Sequence, residues 1–322
     1  MTRSYAYIGK GYELDADAAW DYIRDGYLLA PRTVLKGRTK RPRSELPSIS
    51  LDPKEIPFKV QETLAASMGK MSGIPRAVMF SGGFDSMLIA CMARQCGAQV
   101  TAVTVQFEDF NLLTVQGAAE AANKAGFAHH ILYVKAVEFL SAFEALTAIT
   151  HEPVLDLDLA IVHAALKKYD QQIAGNVFIS GMGSDQWFGN EALEAKRGNL
   201  DVRLDWAMVD EDAHHRVGHV YGYKFLFPFL SGPMLALSQS IPAEMKKDKK
   251  LLRALAIANT IPHRGTRSEI QVSPFMKHIL IKTYGDRAWP CPVSADRNQG
   301  SDIDQTLRQI ILGLWLNKYL TK

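Results

Sequence analysis

Short, continuously apolar runs alternate with amphipathic segments over much of the chain. The apolar runs have the composition of buried parallel strands and lie at residues 77–80, 99–107, 130–134 and 177–179. Segments with helical spacing separate them, at residues 86–95, 114–125, 137–148 and 156–171. Strands and helices that alternate at these lengths predict an α/β fold, a doubly wound, Rossmann-like parallel sheet covered on both faces.

The alternation ends near residue 190, and helical patterns dominate the remainder. These helical patterns are at residues 204–221, 233–240, 248–259 and 302–320. Before the sheet, residues 56–70 predict a helix, and the basic, proline-containing stretch 35–50 predicts a loop or extended arm. We therefore divide the chain into a lead-in (1–75), an α/β domain (76–190) and a helical region (191–322) that completes the active site.

Composition narrows the classes of function. A net charge of +3 over 322 residues is too small to indicate nucleic acid or a membrane as the main partner. Three cysteines do not build a disulfide framework, so a reducing cytoplasm is the expected location. No stretch is long and apolar enough to predict a membrane span.

Two glycine-containing loops follow apolar strands. The first reads Ser81-Gly82-Gly83-Phe84-Asp85-Ser86, and paired glycines before a helix let the backbone approach an anion closely. The second reads Ser180-Gly181-Met182-Gly183-Ser184-Asp185. Each loop taken alone fits a plain turn with a capping side chain. The carboxyl ends of parallel strands are, however, where such sheets bind ligands.

The first loop resembles the SGGxDS signature of the PP-loop ATP pyrophosphatases. This resemblance implies that Ser81, Gly82, Gly83 and Ser86 hold the pyrophosphate of ATP and that Asp85 binds Mg²⁺. The second loop resembles the SGxGxDExFGG signature of the asparagine-synthetase-type domain. There Gly181 and Gly183 would line the nucleotide site, and Asp185 would be the second magnesium ligand with a part in catalysis.

Weaker matches to the same family follow in the family's order. The segments are Asp25–Thr33, His151–Asp156, Gly222–Leu230 and Lys250–Arg253. The last resembles the family's KxxLR pattern, which implies a catalytic role for Lys250. Arg267 takes the place of the lysine that usually follows, where its charge would stabilise the developing pyrophosphate.

Several positions depart from the family. Thr2 replaces an N-terminal cysteine nucleophile, and we expect a synthetase domain without the glutaminase domain. Met182 stands where asparagine synthetases have a glutamate, and a thioether does not accept a proton. Gln186 replaces an acidic residue. Lys224, Leu226 and Ser231 replace other polar positions of the family pattern.

These features favour an ATP- and Mg²⁺-dependent, AMP-forming ligase that joins a small carboxylate to ammonia or an amine. A separate glutaminase or synthetase subunit is a possible partner, and so is a second copy of the chain. Two alternatives stay open: adenylation of a nucleobase or tRNA carbonyl, and a non-catalytic nucleotide-binding subunit, which Met182 and Gln186 favour.

Overall fold

The computed structural model describes most of the chain. The described residues are 14–26, 28, 31–39, 51–69, 71–150, 153, 156–188, 200–262, 273–285 and 303–320. Arg267, Thr2, most of the basic stretch 35–50 and part of the family-like segments lie outside them. None of the helices in these ranges is long and apolar enough to cross a membrane.

Five parallel strands form one sheet in the order β3-β2-β1-β4-β5. The strands are β1 (Pro75–Met79), β2 (Gln99–Phe107), β3 (Ala128–Val134), β4 (Val177–Ile179) and β5 (Lys224–Leu226). Central β1 pairs with β2 on one side and with β4 on the other. Ala77 and Val78 at its centre have no exposed surface, as expected for a strand covered on both faces.

Helices occupy most of the remaining described chain. In order they are α1 (Ala16–Asp25), α2 (Ile56–Met68), α3 (Phe84–Gln95), α4 (Leu112–Ala125), α5 (Ala136–Ile149), α6 (Leu157–Leu166), α7 (Gln171–Ala174), α8 (Ser184–Trp187), α9 (Leu200–Val220), α10 (Gly232–Gln239), α11 (Ala243–Lys246), α12 (Lys250–Ala258), α13 (Ser273–Tyr284) and α14 (Ile303–Leu320). Two 3₁₀ turns, Pro228–Leu230 and Lys247–Lys249, connect the later helices. The α/β fold class predicted from the sequence is thereby confirmed.

Two elements differ from the sequence prediction. β5 adds a fifth strand after residue 190, where helical patterns dominate and no strand was predicted, and it pairs in parallel with β4 through Phe178 and Phe225. A three-residue strand is too short to show a periodicity of its own. Helix α13 also has no counterpart among the predicted helices. The division into three regions with a border near residue 190 stays a prediction.

The order of the strands determines where the two loops lie. From β1 the chain moves outward to β2 and β3, then returns to the other side of β1 as β4 and continues to β5. The direction reverses between β1 and β4, which is the switch point where open parallel sheets bind ligands. The loop after β1 and the loop after β4 therefore lie next to each other at the carboxyl edge.

Candidate active site

The first loop, residues 81–86, is held by its own hydroxyl groups. The Ser86 hydroxyl donates to the Gly83 carbonyl at 3.0 Å, and the amide of Gly83 donates to Ser81 Oγ at 3.2 Å. The two hydroxyl oxygens are 3.2 Å apart. Helix α3 begins at Phe84 without a side-chain cap, so its first amides point toward the loop unopposed by a capping side chain. This is an arrangement suited to an anion.

Glycines bring the two loops against each other and against their supports. A Cβ at Gly181 would lie 3.0 Å from the backbone carbon of Asp85, so the second loop touches the first one backbone to backbone. At Gly82, whose φ is +72°, a Cβ would lie 2.7 Å from Cα of Ala118 in α4. At Gly183, with φ +98°, it would lie 2.6 Å from Leu230. The glycine positions that the sequence pattern singled out therefore serve tight packing.

A lysine lies between the two predicted magnesium ligands. Lys249 Nζ donates to Asp85 Oδ2 at 2.5 Å and is 2.7 Å from Asp185 Oδ1. It also donates to Ser184 Oγ at 3.2 Å. The lysine side chain is 11% exposed, compared with 25% for Asp85 and 32% for Asp185, so this ion-pair cluster is partly shielded from solvent. Ion pairs in such surroundings are stronger than exposed ones.

The family resemblance implied a catalytic role for Lys250, whereas the structure places the neighbouring Lys249 between the two aspartates. Lys250 is exposed at the first turn of α12, whereas Lys249 is buried. The family pattern KxxLR, counted back from Leu252 and Arg253, begins at Lys249. The spacing of that motif is the sequence signal that points to Lys249. Lys250 makes no contact with the two aspartates that the structure describes.

Lys249 reaches the site from an unusual backbone. Asp248 has φ 52° and Lys249 has φ 58°, so two successive non-glycine residues are left-handed. The amide of Lys249 donates to the Phe188 carbonyl at 3.1 Å, and Arg253 Nε donates to the Asp248 carbonyl at 3.1 Å. Left-handed residues other than glycine cost about 1–2 kcal/mol each. Such conformations cluster at functional sites.

The oxygens of this site suit a hard divalent cation. Asp85 Oδ1 is buried and has no hydrogen-bond partner, although its carboxylate faces the Lys249 ammonium through Oδ2. Buried carboxylate oxygens of this kind are ligands for Mg²⁺, which takes one or two protein carboxylates and completes its shell with phosphate oxygens and water. Among the described residues, no group of three or more histidine, cysteine or acidic side chains is arranged to hold a metal ion.

Two positions that depart from the family pattern, Met182 and Gln186, lie in or directly after the second loop. Met182 is half-buried against the core, and its amide donates to Ser180 Oγ at 3.2 Å. Gln186 is buried in α8 next to Trp187. Neither position presents a group that takes up a proton near neutral pH.

An acidic pair lies at the start of α6, beside the segment that resembles the family's DEPxxD stretch. Asp156 caps the helix by accepting from the amide of Asp158 at 2.9 Å. Loss of hydration, and then the Asp156 carboxylate, raise the pKa of Asp158 to about 7. The Asp158 residue as a whole is nevertheless exposed to solvent. His214 interacts electrostatically with Asp158. The Nδ1 atom of His214 donates to the Asp210 carbonyl at 2.8 Å.

Comparison with known proteins identifies the family of the α/β segment. Residues 59–200 match the family model described as asparagine synthase. An asparagine synthetase of Sandersonia aurantiaca is 24% identical over 227 residues, which are 63% of this chain and 42% of that protein. A 7-cyano-7-deazaguanine synthase of Sphingopyxis alaskensis is 39% identical over 62 residues, 19% of this chain and 28% of that protein. The chain thus spans less than half the length of either relative.

Solved structures with similar chain paths include a U34-tRNA thiolase of Methanococcus maripaludis. It is 12% identical, with a TM-score of 0.40, and the alignment covers 87% of this chain and 96% of that one. The matched family segment contains β1 to β4, both loops and the two aspartates. Residues 59–200 of this chain are therefore an asparagine synthase family domain of the PP-loop superfamily.

Proposed function

We propose that this chain is an ATP-dependent, AMP-forming ligase that adenylates a small carboxylate and transfers the acyl group to ammonia or an amine. One observation carries the proposal: Asp85, Asp185 and Lys249 meet within 2.5–2.7 Å where two family-specific loops adjoin. Membership of an ATP-using synthetase family supports the same reading.

Each part of the site then has a role in the first half-reaction. The substrate carboxylate oxygen attacks the α-phosphorus of ATP, an acyl–adenylate forms and pyrophosphate leaves. Ser81, Gly82, Gly83 and Ser86, with the first amides of α3, would hold the departing pyrophosphate. Asp85 and Asp185 would hold Mg²⁺, which supplies charge neutralisation on the phosphates when bound. Lys249 would add a positive charge beside the same oxygens.

The second half-reaction needs an amine with a free electron pair. Its nitrogen attacks the acyl carbon, an amide bond forms and AMP leaves with the bonding electrons of the acyl–oxygen bond. Met182 offers no proton acceptor, so the nucleophile must arrive with its electron pair free, and the proton that it loses as the amide forms must go to water or to the departing AMP. Ammonia, an amine-bearing substrate and ammonia from a separate glutaminase subunit all meet this requirement. Arg267 would stabilise the leaving groups.

The decisive experiment resolves AMP from ADP after incubation with Mg-ATP, pooled small carboxylates and ammonium. We expect AMP and pyrophosphate that depend on one carboxylate pool. Asp85→Asn and Asp185→Asn should each lower the rate by about 100-fold or more, as expected when a ligand of the metal is lost. Asp17→Asn, an exposed aspartate on α1, is the matched control and should leave the rate unchanged. ADP as product would refute the assignment.

A second candidate function keeps the adenylation and changes its target to a nucleobase carbonyl. The 39% identity to a 7-cyano-7-deazaguanine synthase, over a short segment, favours it. AMP formation that requires a deazapurine or RNA, and does not occur with any carboxylate, would select this function. ATP binding without turnover on any substrate would select the non-catalytic subunit instead.

A further inference from the structure

Lys249 lies between the two carboxylates that would hold a divalent cation. Its ammonium has three donors, and three oxygens lie within 3.2 Å of it, from Asp85, Asp185 and Ser184. The ammonium donates hydrogen bonds to Asp85 and Ser184 and forms an ion pair with Asp185, so three protein oxygens surround it. The contact neutralises one of the two negative charges that would otherwise attract a free cation.

We propose that Lys249 is an internal counter-cation that keeps free divalent metal ions away from Asp85 and Asp185 until nucleotide arrives. The inference rests on the proposed function, because it needs ATP to bind at the first loop. The triphosphate then provides the lysine with an alternative set of anionic oxygens. Lysine moves to them and releases both carboxylates to the metal ion that accompanies the nucleotide.

The backbone of Lys249 allows such a movement of the ammonium alone. Its amide is tied to the Phe188 carbonyl, at the end of the second loop, and the left-handed pair Asp248–Lys249 directs the side chain to the carboxyl edge. Four methylene groups separate this anchored backbone from Nζ. Nζ can therefore exchange partners by rotation of the side chain without a change in the loop.

Electrostatics make the lysine and a metal ion mutually exclusive between the same oxygens. A divalent cation bound there would face the ammonium within a few ångströms in a partly shielded site, where like charges repel strongly. The buried Asp85 Oδ1 has no hydrogen-bond partner and is available to a cation once the ammonium has moved. Metal binding in the absence of nucleotide should consequently be weak in the wild type and strong when the lysine charge is removed.

The test is Mn²⁺ binding to nucleotide-free protein, measured by electron paramagnetic resonance of free Mn²⁺. We expect Lys249→Met to bind Mn²⁺ at least about tenfold more tightly than the wild type, since one repelling charge is removed. Lys282→Met removes the same charge from an exposed position on α13 and should bind as the wild type does. Lys249→Met combined with Asp185→Asn should lose the gain, which assigns it to this site.

Lys249→Arg retains the charge and should exclude Mn²⁺, and it serves where the methionine variant folds poorly. The shift in thermal midpoint that Mn²⁺ produces is a second readout and should be larger for Lys249→Met than for the wild type. Equal Mn²⁺ affinity of the wild type and folded Lys249→Met would overturn the proposal. None of these measurements involves ATP turnover, so failure of the ligase proposal would be seen separately in the AMP assay.

Discussion

Replacement of Gly82 by alanine tests how closely the first loop packs against α4. Two costs add at this position. The φ of +72° is left-handed, which costs a residue with a Cβ about 1–2 kcal/mol. The new Cβ would also lie 2.7 Å from Cα of Ala118, a backbone atom that cannot move alone, and overpacking of this kind costs about 1–3 kcal/mol. The expected loss in free energy of unfolding is their sum, about 2–5 kcal/mol.

Gly126→Ala provides the control, because it separates the two costs. Gly126 ends the same helix with φ +69°, and a Cβ there would meet nothing within 4 Å. It therefore carries the conformational cost alone, about 1–2 kcal/mol. Urea unfolding of both variants, followed by far-UV circular dichroism, should show Gly82→Ala as the less stable by about 1–3 kcal/mol. Equal destabilisation would refute the close approach of the loop to Ala118.

Three other predictions concern the site and its supports. The Cβ of Gly181→Ala would press on the Asp85 backbone, so this variant should bind Mg-ATP about tenfold or more weakly in calorimetry. Gly232→Ala is the control, because its Cβ would meet nothing within 4 Å, and its Mg-ATP affinity should be unchanged. Asp158 has a pKa raised from 3.8 to about 7, so stability is lost as the pH rises from about 4 to about 7, and the loss is complete above that pH. Asp158→Asn should therefore raise the urea midpoint more at pH 8 than at pH 5, and an equal gain at both would count against a raised pKa. Burial lowers the pKa of His163, so the stability that the neutral imidazole contributes is present above about pH 6.5 and is lost as the pH falls below that value. The free energy of unfolding should therefore decline less between pH 7.5 and pH 5 in His163→Gln than in the wild type. An equal decline in both proteins would contradict this prediction.

The sequence predicted the central part of the fold closely because its signals are local. The run 77–80 anticipates β1, observed at Pro75–Met79, and the predicted strand 99–107 coincides with β2. Long apolar strands between helices leave little choice of architecture. The two loops were recognisable for the same reason, since glycine and aspartate at fixed offsets after a strand are a compact pattern.

The missed features depend on tertiary contacts or on exact register. β5 is three residues long and is defined by its pairing with β4, a partner more than 40 residues away in the chain. Lys249 and Lys250 are adjacent in a lysine-rich stretch, so the sequence alone did not single out Lys249, and the role predicted for Lys250 stays a prediction. Lys249, which has a left-handed backbone, is the one of the two that is buried. The role predicted for Arg267 lies outside the described residues and stays a prediction.

The ion-pair cluster of Lys249 joins parts of the chain that are synthesised far apart in time. Asp85 and Lys249 are separated by 164 positions, and Asp185 lies between them. Contacts of this separation form late, because the chain must first close a long loop. On the ribosome, a nascent chain that ends before residue 249 would already contain β1 to β5 but would have two carboxylates near each other without their cation. Completion of this site is thus coupled to synthesis of the segment that follows β5 and contains Lys249.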